Sequence, residues 1–477
     1  MSDQYKFSET SSTASEQASS PCAEKDAGSR IACDAGSRIA CDAEPQTKKN
    51  EPNRYALLRY TLLNVYRRLF SLIFLANLAV FIAIMVTDRS LLAFVNAIAA
   101  NLLVCGLARH QVVVNTLFLT LCCIPRSAPL RLRCIAAKVF HYGGVHSGCG
   151  VASFVWYIGL MVLVTQKYVA GAQEISTAVL ALCYVILVLL ASIIVVAYPK
   201  FRVKCHDYFE LTHRFAGWMI LGLFLALLLV FGNNARQVEN RTLGGYLVRL
   251  PAFWFLMVAI VATVHPWLML RKVPVQSEVL SKHAVRLRFD YAPTKLAKGI
   301  QLSKHPLRDW HGFATFPNPD NKSFSVLVSK AGDWTADAIN NPPTHLWKRG
   351  VRLYGFGYAT RMFRKIVVVT TGSGIGPCLS FLGEDNHPPF RVVWQTRSPL
   401  QTYGQDVLDM VHRMDTNPVV IDTNKSGRVD MLPIAMQLVK DFQAEAVFVI
   451  SNAVVTKNLV FALEARGIPA FGPIFDS

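Results

Sequence analysis

Lys365-Ile-Val-Val-Val-Thr-Thr-Gly-Ser-Gly-Ile-Gly376 is the stretch on which the fold turns. Six apolar or β-branched residues in a row read as a fully buried strand. Glycines at 372, 374 and 376 follow at once, and a helix-like run continues through Leu382. A glycine turn between strand and helix lets backbone N–H groups approach a pyrophosphate at a helix N-terminus. The spacing is GxGxG rather than the full dinucleotide fingerprint, so an ordinary tight turn is the competing reading. Further strands are expected at Arg391–Gln395, Val419–Asp422 and Ala446–Ile450. This alternation is the rhythm of a nucleotide-binding α/β domain, placed at 363–477. The next strand ends Trp394-Gln-Thr-Arg397, without the acidic residue that holds a ribose in many NAD enzymes. Arg397 there can meet a 2′-phosphate, which leans towards NADPH, with NADH or a plain surface arginine as alternatives.

Upstream, 273–362 carries short β-like runs at Val285–Phe289, Gly299–Leu302 and Phe324–Val328, expected as an antiparallel barrel or sheet. Before Arg271-Lys272 the character changes. Apolar residues make up 52 % of the chain and charged residues 17 %, with a mean hydropathy of +0.32. A soluble protein carries roughly 25 % charged residues. Within 54–272, spanning candidates are Leu69–Val86, Leu91–Ile124, and about 145–165, 175–198, 213–231 and 250–270. Leu91–Ile124 is interrupted by Arg109-His110-Gln111 and reads as one span with an extension, or as two short spans.

Lys+Arg 49 against Asp+Glu 31 gives +18. In so apolar a chain this reads as cytosolic loops, not nucleic acid. Arg126, Arg131, Arg133 and Lys138 fill one loop, and Lys200, Arg202, Lys204 and Arg214 another. Both termini are therefore expected in the cytosol, with the Asn240-Arg-Thr242 sequon on the outer side. The eleven cysteines form no CxxC pair and suggest neither disulfides nor zinc. Residues 1–53 are polar and repeat the octapeptide Asp26–Cys33 at Asp34–Cys41; they are expected to be disordered.

Two further segments carry a resemblance. Trp310-His-Gly-Phe-Ala-Thr315 precedes Phe324-Ser-Val-Leu-Val-Ser-Lys-Ala-Gly-Asp-Trp-Thr335, then Gly355-Phe-Gly357, then the Gly372–Gly376 turn. In this order they resemble the flavoprotein unit of the ferric reductase and NADPH oxidase superfamily, most closely that of fungal integral membrane proteins. Some of those are fused to an adenylate-forming domain, which is not read within these residues. Gly427-Arg428 resembles a further motif of the nucleotide domain. The resemblance implies an α-helical membrane bundle of about six helices, then a ferredoxin-reductase-like β-barrel, then the α/β domain. It implies FAD bordered by His311, Phe313 and Thr315, with Asp333, Trp334 and Thr335 nearby. It implies a nicotinamide nucleotide on Gly372, Gly374 and Gly376. Departures are Gly312 for Pro, Ala314 for a hydroxyl residue, Ser329 for Arg, and Ile450-Ser-Asn452 for a late Cys-Gly-Pro.

The superfamily also sets two histidines, thirteen or fourteen apart, on each of the third and fifth helices to clamp two haems. Here those helices open with Phe140-His141 through His146, and with His206 through His213-Arg. The outer partners are missing: Phe154, Val155, Gly159, Leu160, Ala226 and Leu227 stand at their places. At most one inner haem b is then implied, on His141 or His146 with His213. His110 and His265 read as interfacial or packed. The expected activity is electron transfer from NAD(P)H through FAD to a haem or small acceptor at the cytosolic face. The alternative is a redox-degenerate membrane scaffold or sensor accompanying a biosynthetic enzyme.

Overall fold

A computed structural model describes Tyr60 and residues 63–473; the octapeptide repeat and the rest of the polar tail lie outside the described residues. The apolar part forms α1 (Val65–Thr87), α2 (Leu91–Leu107), α3 (Gln111–Leu121), α4 (Leu130–Ala136), α5 (Gly143–Val169), α6 (Thr177–Val196), α7 (His206–Val238) and α8 (Pro251–Leu268). Five of these are long and apolar enough to cross a membrane, or six if α2 and α3, bent by 71° at their junction, count as one span. At about 1.5 Å per residue, α3 is only about half as long as a bilayer core is thick. It therefore serves as the extension of α2 and not as a span. Gln111, Val114 and Phe118 on its inner face are buried. Val112, Leu119 and Leu121 on the other face are exposed.

α5 is the central helix of the bundle, packed on α1, α2 and α6. Gly144 and Gly148 allow α1 to come close: a Cβ on Gly144 would lie 2.3 Å from the Tyr66 carbonyl oxygen, and one on Gly148 3.1 Å from that of Phe70. Small residues four apart are the usual device for close helix approach in an apolar medium.

The next strands are β1 (Arg271–Pro274), β2 (Gln276–Val279), β3 (Ala284–Phe289), β4 (Lys298–Ser303), β5 (His311–Pro317) and β6 (Phe324–Ser329). After α9 (Asp333–Asn340) come β7 (His345–Lys348) and β8 (Leu353–Tyr354). The antiparallel order is β1-β7-β4-β5-β6-β3-β2, with β8 also on β4. Because β1 and β2 follow one another in the chain, the sheet curls round until its edges meet near Val275, a nearly closed barrel. Its interior holds Val285, Leu287, Phe289, Ile300, Leu302, Phe324, Val326 and Val328.

β9 (Ile366–Thr371), β10 (Phe390–Thr396), β11 (Val419–Asp422), β12 (Ala446–Ile450) and β13 (Ala470–Phe471) form a second sheet, with α10 (Pro399–Met414), α11 (Met431–Phe442) and α12 (Ala453–Glu464) between strands. The order β11-β10-β9-β12-β13 is parallel throughout. The helix expected through Leu382 is shorter than that: one α turn, Ile375–Cys378, then a 3-10 turn, Leu379–Gly383.

The basic loop at 125–138 is bonded to the parallel-sheet region. Arg133, 3 % exposed, makes a two-pronged bond to Glu445 at 2.6 and 3.0 Å and donates to the Met362 carbonyl at 2.9 Å. Lys138 bonds Glu464 at 2.7 Å, and Arg126 donates to the carbonyls of Arg361 and Asn386. Around these bonds one apolar cluster joins Val114, Phe118, Cys122 and Phe140 to Phe316 and Leu327 of the barrel and to Val368, Trp394 and Phe448 of the sheet.

Candidate cofactor site

β5 sets His311 and Phe313 two residues apart on one face of the pleat. Both rings meet Trp334 on the first turn of α9, with centroids at 4.7 and 5.4 Å. Asp309 Oδ2 lies 2.9 Å from His311 Nε2. Burial raises the Asp309 carboxyl, but the bond to His311 and its own backbone amide outweigh that and hold it below the usual range. Trp334 Nε1 is buried with no partner in the protein. The other residues singled out in sequence are used locally. Thr315 is buried, 2.6 Å from the Thr294 hydroxyl, and donates to the Lys298 carbonyl at 2.9 Å. Thr335 Oγ1 accepts from the backbone N–H groups of Ala331 and Gly332 at 2.8 and 2.9 Å. Asp333, exposed at the same helix start, adds negative charge there.

The glycine turn follows β9. Gly372 has φ +51, a conformation that favours glycine, and its carbonyl accepts from Trp394 Nε1 at 2.9 Å. Gly374 and Gly376 are required by packing. A Cβ on Gly374 would lie 2.4 Å from the Ile450 carbonyl oxygen, and one on Gly376 3.1 Å from Leu327 Cβ on β6. The turn is therefore seated on the barrel, and Ser373 is its exposed residue. At the carboxyl ends of β10 and β11 stand Arg397, Lys425 and Arg428, all exposed. Among the described residues none of the three has an ion-pair partner. Their loops are tied by Ser398 N–H to Asp422 at 2.8 Å, Asn424 to Ser398 at 2.7 Å and Val429 N–H to Gln395 at 2.8 Å.

In the bundle the structure brings His146 and His213 together, with ring centroids 6.0 Å apart and planes at 53°. His141 is not part of this pair; its ring lies against Phe140 at 4.5 Å. His146 Nδ1 donates to the Cys105 carbonyl at 2.9 Å. His213 Nδ1 is buried without a hydrogen-bond partner. His110 and His265 form a pair of their own, Nε2 to Nδ1 at 3.2 Å. The His146–His213 pair sits at the barrel end of the bundle, because the neighbouring Arg214 donates to the carbonyls of Leu307 and Arg308 at 3.1 and 2.7 Å. Asn240 is exposed just beyond the other end of α7.

Three partners were not legible in sequence: Asp309 under His311, Cys105 under His146, and Arg349. The Arg349 guanidinium lies 4.8 and 4.4 Å from the ring centres of Trp267 and Trp310, joining bundle to barrel. Asp309, Cys105 and Arg349 themselves belong to none of the motifs read in the sequence, although each touches a residue that does.

Fold and site together define an apolar helical bundle joined to a barrel and a parallel sheet whose glycine turn abuts the barrel. The family model "Adenylate-forming reductase 03009, C-terminal domain" matches residues 356–477. Adenylate-forming reductase 03009 of Coprinopsis cinerea is 42 % identical over 421 residues, 88 % of this chain and 41 % of that protein. Adenylate-forming reductase 06235 of the same organism is 42 % identical over 422 residues, again 88 % and 41 %. The chain thus spans about two fifths of the length of these curated relatives. Among solved structures, a ferredoxin NADP+ reductase from Neisseria gonorrhoeae with bound FAD and NADP aligns at TM-score 0.34 and 12 % identity, over 43 % of this chain and 99 % of that one. The flavohem-like FAD/NAD binding domain of nitric oxide dioxygenase from Vibrio cholerae aligns at TM-score 0.33 and 14 % identity, over 43 % and 99 %.

Proposed function

We propose that the chain is a membrane-embedded flavoprotein oxidoreductase of the ferric reductase and NADPH oxidase type, with both ends of the bundle's chain in the cytosol. It would take electrons from NAD(P)H, NADPH in preference, through FAD to one haem or to a small acceptor at the cytosolic face. The relatives named adenylate-forming reductases support reading it as a reductive module beside adenylate-forming chemistry. The observation that carries the reading is the seat of Gly376 on Leu327 of β6. It makes the turn expected to hold the dinucleotide adjoin the strands that present His311, Phe313 and Trp334.

The residues fit a flavin ring better than they fit its phosphates. Phe313 and Trp334 offer a ring face, and the unpartnered Trp334 Nε1 is a donor awaiting an acceptor. Thr315 and Thr335 have no hydroxyl to spare, and Asp333 opposes an anion at the start of α9. A bound flavin supplies two-electron acceptance and one-electron release. The protein's part is to orient: Asp309 holds the His311 Nε2 proton, so Nδ1 is the free position. Arg397, Lys425 and Arg428 set positive charge where a 2′-phosphate would lie. His146 commits its Nδ1 proton to Cys105, which leaves Nε2 for a metal, the usual arrangement behind a ligating imidazole. His146 and His213, with ring centres 6.0 Å apart, are the residues that would hold a haem iron, which would supply one-electron acceptance.

The test is an absorption spectrum of detergent-purified protein before and after reduction, followed by NADPH and NADH oxidation. Flavin bands with a reduced-haem band support the whole reading; flavin alone moves the acceptor to the cytosolic surface. Neither chromophore, under conditions in which a control flavocytochrome keeps both, sinks it. That last outcome is the prediction of the scaffold reading, which the internal use of the Thr315 hydroxyl favours.

A further inference from the structure

Five cations gather where the barrel meets the bundle. Arg271 begins β1, two residues after α8, and pairs in register with Lys348 on β7. Arg352 precedes β8. Its guanidinium lies 4.9 Å from the centre of the Phe324 ring, and its Nη1 is buried with no hydrogen-bond partner. Lys298 Nζ sits 3.2 Å from the centre of the Tyr354 ring and 3.3 Å from the Arg352 carbonyl. Lys295 lies close by, exposed. Among the described residues none of the five makes an ion pair. The charges acting on Lys298 and Lys348 are all cationic: Arg352 and Lys295 on the first, Arg271 and Arg352 on the second. Burial, then those neighbours, bring the Lys298 amine down to about 8. Half-buried cations with no carboxylate among them are costly unless an anion completes the site.

The arginine nearest the barrel interior, Arg352, stands apart from Trp334, while the lysines share strands with the flavin-facing residues: Thr315 donates to the Lys298 carbonyl, and Lys348 pairs with Leu302, which pairs with His311. Arg352 lies over Phe324 at the first residue of β6, and α9 begins beyond the last. Five residue steps of about 3.3 Å put roughly 17 Å between the two. What also adjoins the cluster is α3. Its Asn115 donates to the Arg352 carbonyl at 3.0 Å and accepts from Tyr354 N–H at 2.8 Å. The same helix exposes Val112, Leu119 and Leu121 on its other side. An apolar outer face beside a carboxylate-free basic patch, at the end of the last long apolar helix, has the chemistry of a membrane surface.

We propose that Arg271, Lys295, Lys298, Lys348 and Arg352 form a binding site for the phosphate headgroup of an anionic phospholipid, with α3 lying in the headgroup layer beside it. The proposal rests on the bundle being membrane-embedded, as inferred above. In it the lipid phosphate is the counter-ion of Arg352, and the bilayer surface is part of what holds the barrel against the bundle.

The experiment uses the full chain in neutral detergent and native mass spectrometry, titrating dioctanoyl phosphatidylglycerol, dioctanoyl phosphatidylcholine and inorganic phosphate separately. Preferential binding of the phosphatidylglycerol is expected. Arg271→Gln with Lys295→Gln removes two exposed charges without touching the packing, and weakens that binding roughly 25-fold at about fivefold per charge. Lys298→Gln with Lys348→Gln, checked for an unchanged melting profile, weakens it by a similar factor. Equal binding of phosphatidylcholine, or no loss in either variant, overturns the site. Full displacement by millimolar phosphate assigns it to a free phosphate and overturns the lipid. Release of the chain from membranes by alkaline carbonate would refute the embedded bundle itself, a result independent of the titration.

Discussion

The two ends of the bundle are built from the same helices and differ in what fills them. At the barrel end, α5 and α7 offer His146 and His213, facing one another at 6.0 Å. Toward the other end α5 turns a packed aromatic face to α1 and α2, and meets α7 through Tyr157 and Phe224 at 5.8 Å. Phe81, Phe94 and Trp156 meet edge-on with centroids at 5.2 to 5.8 Å. Gly159 is small because a Cβ there would lie 2.6 Å from both phenylalanines. Trp156 and Asn101 both donate to Asn77 Oδ1, at 3.0 and 2.7 Å, which ties α1, α2 and α5 together there. One end sets two imidazoles side by side, His213 with a buried, unpartnered Nδ1, and the other is packed like a core. The difference teaches that one helix, α5, presents histidine toward the barrel and gives the rest of its length to close packing.

The comparison can be broken most severely at the packed end. Trp156→Ala removes a ring that is 1 % exposed and should cost about 3–5 kcal/mol, read as a fall in melting temperature in detergent. A loss under 1 kcal/mol would mean that the far end is loosely filled. Next comes the clamp that keeps the barrel end in place. Glu445→Gln leaves Arg133 buried beside a neutral partner and should cost about 3 kcal/mol, with faster proteolysis between bundle and sheet. Its pH dependence has a definite sign. Burial raises the Glu445 carboxyl, but Arg133 and the Arg364 N–H outweigh it and hold it below its ordinary 4.5. The contribution is therefore complete above that value and is lost as pH falls through the lowered one. A clamp unchanged at pH 3 would show that the pair is not what holds the seam.

At the barrel end, His213→Ala should change stability by less than about 1 kcal/mol, since Nδ1 of this ring has no hydrogen bond to lose. It should nevertheless abolish any reduced-haem band. A large loss of stability with an unchanged spectrum would make His213 a packing residue. The smallest effect is expected at Asn101→Leu, about 0.6 kcal/mol, typical of a hydrogen bond between apolar helices. Trp156 still satisfies Asn77 in that variant.

What sequence revealed follows from how local the determinants are. β9 and β12 stand out because a strand buried on both faces is an apolar, β-branched run between turn signals. The break at Arg109-His110-Gln111 is visible as polarity. That α3 then turns by 71° and enters the soluble core is not, because Val114 and Phe118 look like any apolar pair until the sheet packs on them. Arg133 reads as a topogenic cation in its loop, and its partner is 312 residues away. Thr315 reads as a ligand from its motif. Only the barrel's curvature brings Thr294 and the Lys298 carbonyl to it. The glycines were visible as a turn, but the reason for two of them, contact with Ile450 and Leu327, lies in other strands.

The elbow at α3 also sets an order of events during synthesis. Val114, Phe118 and Cys122 find their cover in Tyr358, Met362 and Phe363, some 240 residues later in the chain. At 5–20 residues per second a ribosome needs roughly 10–50 s to make that cover. For that interval the inner face of α3 has only the nearby Ala136–Phe140 segment against it, and the rest must be shielded by other means. A chain halted before the sheet is made would carry a partly uncovered apolar helix beside a cluster of free arginines, a form that quality control could recognise.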